Sequence, residues 1–357
     1  MATPRQIGAI TAGLATVIVT LVLATPADAQ WVAKSIDTMK ESMDASDRGI
    51  TQAHIDQHVD QLAALHPTFI TVDTPMDRPG VYRMWVQSIR RYPIHVWHRP
   101  ADWGYPSKPA HVDPNVTPQI YLDHVAAFIK QNPDLFRSGD IFDGDSESDS
   151  NAYWHRYPAE EWFNDANRNG LSPACSEWNQ YLVDLKTTAD SAFHDSGISG
   201  IDAGVRSLNP FWAARYDPTD GLWHPTLCLA DSTIASLGWL TLDAYFADDS
   251  TDPAYVAWVV SSTLDGYHQA RPAARVLLGE YGYTNNCALN DDATQAAVLN
   301  AVLPVFRAKP YLYGLNYWVG AGGPGHGGCT NVLRRSTGGW APRPGAFELA
   351  DFFQAQP

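Results

Sequence analysis

Basic residues are scarce in this chain. Lys and Arg number 24 against 39 Asp and Glu, which gives a formal net charge of −15. Nucleic acid and anionic membrane surfaces would repel such a surface, so neither is expected as a partner. Cysteine is sparser still, with four residues and neither a Cys-x-x-Cys pair nor matching His spacing, so no metal site is expected from them. No glycine-rich phosphate turn follows the first candidate strand, where the sequence reads Asp-Thr-Met-Lys-Glu-Ser-Met-Asp. No Pro- or Ser-rich linker divides the chain, and no solenoid-type repeat runs through it. Past Leu23 no stretch is apolar enough to cross a bilayer.

What is present begins with Arg5, an apolar run from Ile7 to Leu23, then Pro26 and Ala27-Asp28-Ala29. This reads as a secretory signal over residues 1–29, removed on export to the periplasm or medium. The alternative, an uncleaved anchor, needs a longer run. After cleavage no membrane contact is expected. Four cysteines in an oxidising compartment are expected to form two disulfides, in one of three pairings. Residues 30–357 are expected to form one catalytic domain, a length that suits a single α/β barrel with insertions. An apolar content of 45% supplies a large core.

Short apolar segments alternate with amphipathic ones. Strands are expected at Val32–Ile36, Phe69–Val72, Ile94–His98, Asp140–Phe142, Gly204–Leu208, Leu240–Tyr245, Val276–Tyr281 and Leu312–Trp318. The helices between and after them are expected at Thr51–Leu65, Val81–Arg91, Gln119–Gln131, Ser176–Ser196, Thr226–Leu237, Ala254–Gln269, Asp292–Ala308 and Ala346–Phe353. Eight such pairs imply parallel pairing and the α/β class, as a single (β/α)8 TIM barrel. An open doubly wound sheet is the other parallel architecture, and it usually carries the missing phosphate turn. The Asp-, Ser- and Asn-rich stretch 144–173 reads as a rim insertion after strand 4. On this frame all four cysteines fall on one rim, which favours Cys175–Cys228 and Cys287–Cys329.

A barrel places its chemistry at the C-terminal ends of its strands. Glu280 ends strand 7 directly after an apolar run, and Glu147 lies just beyond strand 4. Two carboxylates on nearly opposite strands can work as nucleophile and proton donor on a glycosidic bond. Gly279-Glu280-Tyr281-Gly282 resembles the nucleophile strand of the large clan of retaining, barrel-shaped glycoside hydrolases, which carry the acid/base on strand 4. Leu242-Asp243-Ala244-Tyr245 resembles the clan's strand 6 end, Asn316-Tyr317-Trp318 its strand 8, and Ile94-His95-Val96-Trp97-His98-Arg99 its strand 3.

The resemblance implies retaining hydrolysis of O-glycosidic bonds in a plant or microbial β-linked polysaccharide or oligosaccharide. It implies Glu280 as nucleophile and Glu147 as acid/base. Substrate contacts would come from Asp37, His98, Arg99, Asn209, Trp212, Asp243, Tyr245, Tyr281, Asn316 and Trp318. The clan places Asn before its acid/base; this chain has Ser146 there, and Asp145 and Asp149 are the other candidates. No cofactor is expected and a monomer is.

Other readings remain open. Asp165-x-Asn167-x-Asn169-Gly170 opens like a calcium loop, which would hold a structural calcium, although position 12 is Ser176 where the pattern has a carboxylate. His54 and His58 stand at i and i+4 on the first helix and read as surface histidines. Trp85, Trp178 and Trp258 read as filling between barrel and helices. A barrel that only binds carbohydrate would keep aromatic rims without both carboxylates. A metal-dependent barrel hydrolase would need His-x-His at the end of strand 1, where Ser35-Ile36-Asp37 stands. Lys34 leaves room for Schiff-base chemistry.

Overall fold

The computed structural model describes residues 31–43, 49–100, 115–157, 171–208, 214–217, 222–225, 228–245, 250–283, 288–289, 291–321, 330–336 and 339–355. Seven parallel strands form its centre: β1 (Ala33–Asp37), β2 (Phe69–Val72), β3 (His95–His98), β4 (Ile141–Phe142), β7 (Leu240–Ala244), β8 (Val276–Tyr281) and β9 (Leu312–Tyr317). Their order across the sheet is β4-β3-β2-β1-β9-β8-β7. Two antiparallel hairpins were not foreseen: β5 (Ala214–Asp217) with β6 (Leu222–Pro225), and β10 (Leu333–Ser336) with β11 (Gly339–Pro342).

The helices are α1 (Met39–Ser42), α2 (Gln52–Ala63), α3 (Pro79–Ile89), α4 (Pro118–Gln131), α5 (Pro173–Asp195), α6 (Asp231–Leu237), α7 (Pro253–Ala270), α8 (Asp292–Arg307) and α9 (Pro344–Ala355). Their starts follow from local chemistry. Thr51, Thr117, Ser172, Asp252 and Asp291 each accept a backbone N–H of the first turn through the side chain, and Pro opens α3, α4, α5 and α7. None of the described helices is long and apolar enough to cross a membrane.

The fifth expected strand, Gly204–Leu208, is not a continuous strand. The segment touches one sheet edge by a parallel bridge from Asp202 to Ile141 and the other by a bridge from Leu208 to Leu242. Side chains take the bonds a ladder would make. Asp202 accepts from the Gly204 N–H, Asp143 accepts from the Ser207 N–H at 2.9 Å, and Arg206 donates to the Phe142 and Val205 carbonyls. The Ser207 carbonyl accepts from the Glu147 N–H at 2.8 Å.

Two cores follow. The larger one lies between sheet and helices. The smaller one fills the inside of the sheet with Ala33, Phe69, Trp97, Ile141, Val205, Trp239 and Leu277, with Tyr313 packed against it. These eight come from the seven strands or their margins and from the 202–208 segment, each on the inner side of its alternation. Burying each of the larger ones contributes roughly 1.5–3 kcal/mol. Trp85 and Trp178 are fully buried as expected, whereas Trp258 on α7 is 52% exposed and faces solvent. His58 is also a correction: it is fully buried, wedged between Trp85 and Trp340 at ring distances of 5.4 and 5.3 Å.

One disulfide joins Cys175 to Cys228, as expected, tying the start of α5 to the segment before α6. Cys287 and Cys329 lie outside the described residues, as do the signal segment, most of the second half of the 144–173 stretch and the calcium-like loop.

Candidate active site

Strand alternation, shifted by one residue at the irregularities of β8 with β7 and β9, carries inward-facing positions to the C-terminal end of the sheet, where their chemistry changes from apolar to polar. Asp37, Asp73, Arg99, Asp143, Ser207, Asp243, Glu280 and Asn316 are all buried there, one from each of the seven strands or its end and one from the 202–208 segment. Five acids thus surround one guanidinium.

Arg99 organises them. Its Nη1 donates to Asp37 at 2.9 Å and its Nη2 to Glu280 at 2.6 Å, while Nε stands 3.6 Å from Asp73 and 3.9 Å from Asp143. Burial works against its charge, but Glu280, Asp73 and Asp37 outweigh that and hold it firmly protonated. The other oxygen of Glu280 accepts from the Tyr245 hydroxyl at 2.5 Å. Both oxygens of Glu280 are therefore gripped, one by the buried Arg99 and one by the half-buried Tyr245. Asn316 donates to Asp37 and to the Gly279 carbonyl, both at 2.9 Å, and accepts from Thr71, which bonds Ser35. This chain of bonds fixes the β8 backbone just before Glu280.

The remaining acids are pushed toward neutrality. Burial, then the charge of Asp37, raises Asp73 well above the usual carboxylate range, and a hydrogen bond with Asp37 adds to this. Burial raises Asp143 despite the charges of Arg99 and Arg206. Burial and the charge of Glu280 raise Asp243 well above it. The Tyr245 phenol is raised by burial and then by Glu280, so it donates without giving up its proton.

Glu147 reaches this site from the loop after β4. It sits in the left-handed region at φ 52°, a conformation that costs a non-glycine residue of order 1 kcal/mol and that its bond to the Ser207 carbonyl holds in place. It is half-buried, and its charge bears on Asp243 and Tyr245, the same two groups that Glu280 acts on. The other two carboxylates of the loop are buried. Asp145 accepts from Asn151 and Tyr181, which commits it to holding the loop.

Of the residues singled out in the sequence, Asp37, Arg99, Asp243, Glu280 and Asn316 converge in the polar layer, and Tyr245 contacts it. Trp318 is 8% exposed, packs edge-on against Tyr245 at 5.7 Å and donates from Nε1 to the Met39 sulfur at 3.3 Å. His98 and Tyr281 are not brought to the site. His98 faces the helix layer, between Tyr82 and Phe136, and bonds Asp140; Tyr281 packs against Phe306. Each neighbours an inward residue and so points the opposite way. Asn209 and Trp212 lie outside the described residues. Lys34 turns outward and donates to the Phe353 carbonyl at the end of α9, away from the acids. Asp73, Asp143 and Ser207 went unforeseen. Continuing the two-residue alternation from Phe69, Ile141 and Val205 past each strand end reaches all three. Among the described residues no group of acids, His and Cys could hold a metal ion.

No protein-family model matches the sequence, and no curated protein matches it. Solved structures do resemble the fold. A Faecalibacterium prausnitzii β-glucuronidase superposes with a TM-score of 0.57 at 14% identity, over 92% of this chain and 49% of that one, so this chain spans about half its length. XacCel5A, solved in complex with cellopentaose, gives 0.56 at 10% identity, over 90% of this chain and 99% of that one. A xyloglucan-specific endo-β-1,4-glucanase of family GH5 from a metagenomic library, in complex with cellotriose, gives 0.56 at 12% identity, over 90% and 96%. At such identities the likeness speaks for the fold. It is a TIM-like α/β architecture of the kind these glycoside hydrolases carry.

Proposed function

We propose that this protein is an exported glycoside hydrolase acting with retention, a closed (β/α)8 barrel over residues 30–357 whose nucleophile is Glu280 and whose acid/base is Glu147. The observation that carries the reading is the double grip on Glu280 by Arg99 and Tyr245 at the end of β8, with Glu147 bearing on the same neighbours. A carboxylate so oriented presents a fixed oxygen to one face of a bound sugar. Glu280 attacks the anomeric carbon, the glycosidic C–O bond breaks, and the leaving oxygen takes the proton of Glu147. Glu147 then takes a proton from water, the water oxygen bonds to the anomeric carbon, and the ester to Glu280 breaks. Trp318, beside Tyr245, would floor the sugar. The disulfide fits an oxidising compartment, and the resemblance of the motifs favours β-linked oligo- or polysaccharides.

A panel of aryl β-glycosides and plant and microbial polysaccharides, run on the parent, Glu280→Gln and Glu147→Gln, tests this. Glu280→Gln should lose at least about 10³-fold in kcat while keeping its fold by circular dichroism. Glu147→Gln should lose more on poor leaving groups than on aryl ones. Near-normal turnover by Glu280→Gln would overturn the assignment. Carbohydrate binding with no turnover by the parent would make this a binding barrel instead.

A further inference from the structure

Asp243 differs from every other acid of the polar layer. It lies on β7 in register with Glu280 on β8, is 1% exposed, and neither of its carboxylate oxygens has a hydrogen-bond partner. The others each have a donor or a cation beside them: Asp37 bonds Arg99 and Asn316, Asp143 the Ser207 N–H, Glu280 Arg99 and Tyr245, and Asp73 stands 3.6 Å from Arg99 Nε.

The packing around Asp243 leaves it little room to seek a partner. Gly279 passes so close that a Cβ there would stand 2.7 Å from its Oδ1 and 2.2 Å from the Ser207 hydroxyl. The charged groups that face it are Glu280 from β8, Arg99 from the end of β3, and Glu147 and Asp143 from the β4 loop, with Tyr245 on its own strand. Three of those are acids, and the one cation is already bonded to Asp37 and Glu280. A buried carboxylate with no donor loses its hydration with nothing in return.

We propose that Asp243 is carried as the neutral carboxylic acid, a positioning residue that fills the floor beside Glu280 without placing a second negative charge there. Glu280 is then the one ionised group on that wall, and the two are coupled: whatever removes the charge of Glu280 frees Asp243 to ionise. The push of burial and of Glu280 on the acidity of Asp243 runs in the same direction. The catalytic meaning of the coupling rests on the proposed function, because formation of a glycosyl ester on Glu280 would remove that charge once per turnover. The coupling itself does not.

The test is 13C NMR of the full chain labelled at the aspartate carboxyls, titrated in the parent and in Glu280→Gln, with the Asp243 signal assigned by its loss in Asp243→Asn. In the parent the signal should hold its protonated position at pH 7. In Glu280→Gln its acid dissociation constant should rise by at least about tenfold. Should Asp243→Asn fail to fold, the Asp243 carboxyl is assigned instead by through-bond correlation to its own backbone resonances, which separates it from Asp37 and Asp73. An ionised Asp243 at pH 7 in the parent, or no aspartate signal responding to Glu280→Gln, overturns the proposal. A glycoside panel without turnover would sink the proposed function and leave these titrations as they are.

Discussion

Arg99 bridges Asp37 and Glu280, donating to the first at 2.9 Å and to the second at 2.6 Å from two different nitrogens. The planar fork gives each acid its own nitrogen, whereas an ammonium must serve both from one atom at the end of a shorter reach. Arg99→Lys should therefore leave one buried acid without its cation, at about 3–5 kcal/mol. Thermal melts should show a drop of roughly 10 °C, and kcat/KM on a responsive glycoside should fall at least about 10²-fold. A variant that melts with the parent would mean that Arg99 holds neither acid.

The same bridge shows how much of the site the sequence disclosed. Glu280 and Asp37 were legible because each is an acid that closes an apolar strand, and Arg99 because it follows one. His98 and Tyr281 were drawn in by adjacency, yet a side chain one position away on a strand faces the other side. Asp73, Asp143 and Ser207 needed the inward register, which is set by pairing across strands and by the irregularities in β8. The fifth segment was found as a strand position but not as a strand, because Asp202, Asp143 and Arg206 replace its ladder with side-chain bonds. The hairpins β5–β6 and β10–β11 lie between the expected elements, in stretches to which no strand was assigned.

Gly279 sets the approach of β8 to its neighbours. An added Cβ would stand 2.2 Å from the Ser207 hydroxyl and 2.7 Å from Asp243, both buried and neither free to swing away. Gly279→Ala should displace β8 by a few tenths of an ångström and with it the next residue, Glu280. Overpacking of this kind costs about 1–3 kcal/mol. Steady-state kinetics should show a larger loss, about 10²-fold in kcat with a smaller change in KM. Unchanged kinetics would mean that the floor yields and the geometry of Glu280 is not set there.

The Cys175–Cys228 bond closes a loop with a sequence separation of 53, and Asn179 donates to the carbonyls of both cysteines. Restricting the unfolded chain over such a loop is worth about 4 kcal/mol. Replacing both cysteines by Ser should lower Tm by roughly 10 °C while leaving the polar layer in place, so that kcat at 25 °C changes by less than about threefold. A melting curve that overlays the parent's would show the bond to be thermodynamically idle.

His58 gives the fold a defined weakness toward acid. Its ring is fully buried between Trp85 and Trp340, neither nitrogen has a hydrogen-bond partner, and burial, helped by His54, pulls its pKa down to about 3. In the unfolded chain the same ring takes up a proton near 6.5. The unfolded state therefore binds more protons as pH falls from about 6.5 toward 3, and the stability present above that window is lost across it. The full effect is at most roughly 4–5 kcal/mol, from about 1.4 kcal/mol per pH unit. His58→Leu cannot take up a proton in either state. Its Tm should fall several degrees less than the parent's between pH 7 and pH 4, whatever the substitution does to packing at neutral pH. Calorimetric scans of the two proteins at matched pH values would decide it, because two Tm curves running parallel through that window would mean the imidazole finds its proton in the folded state as well.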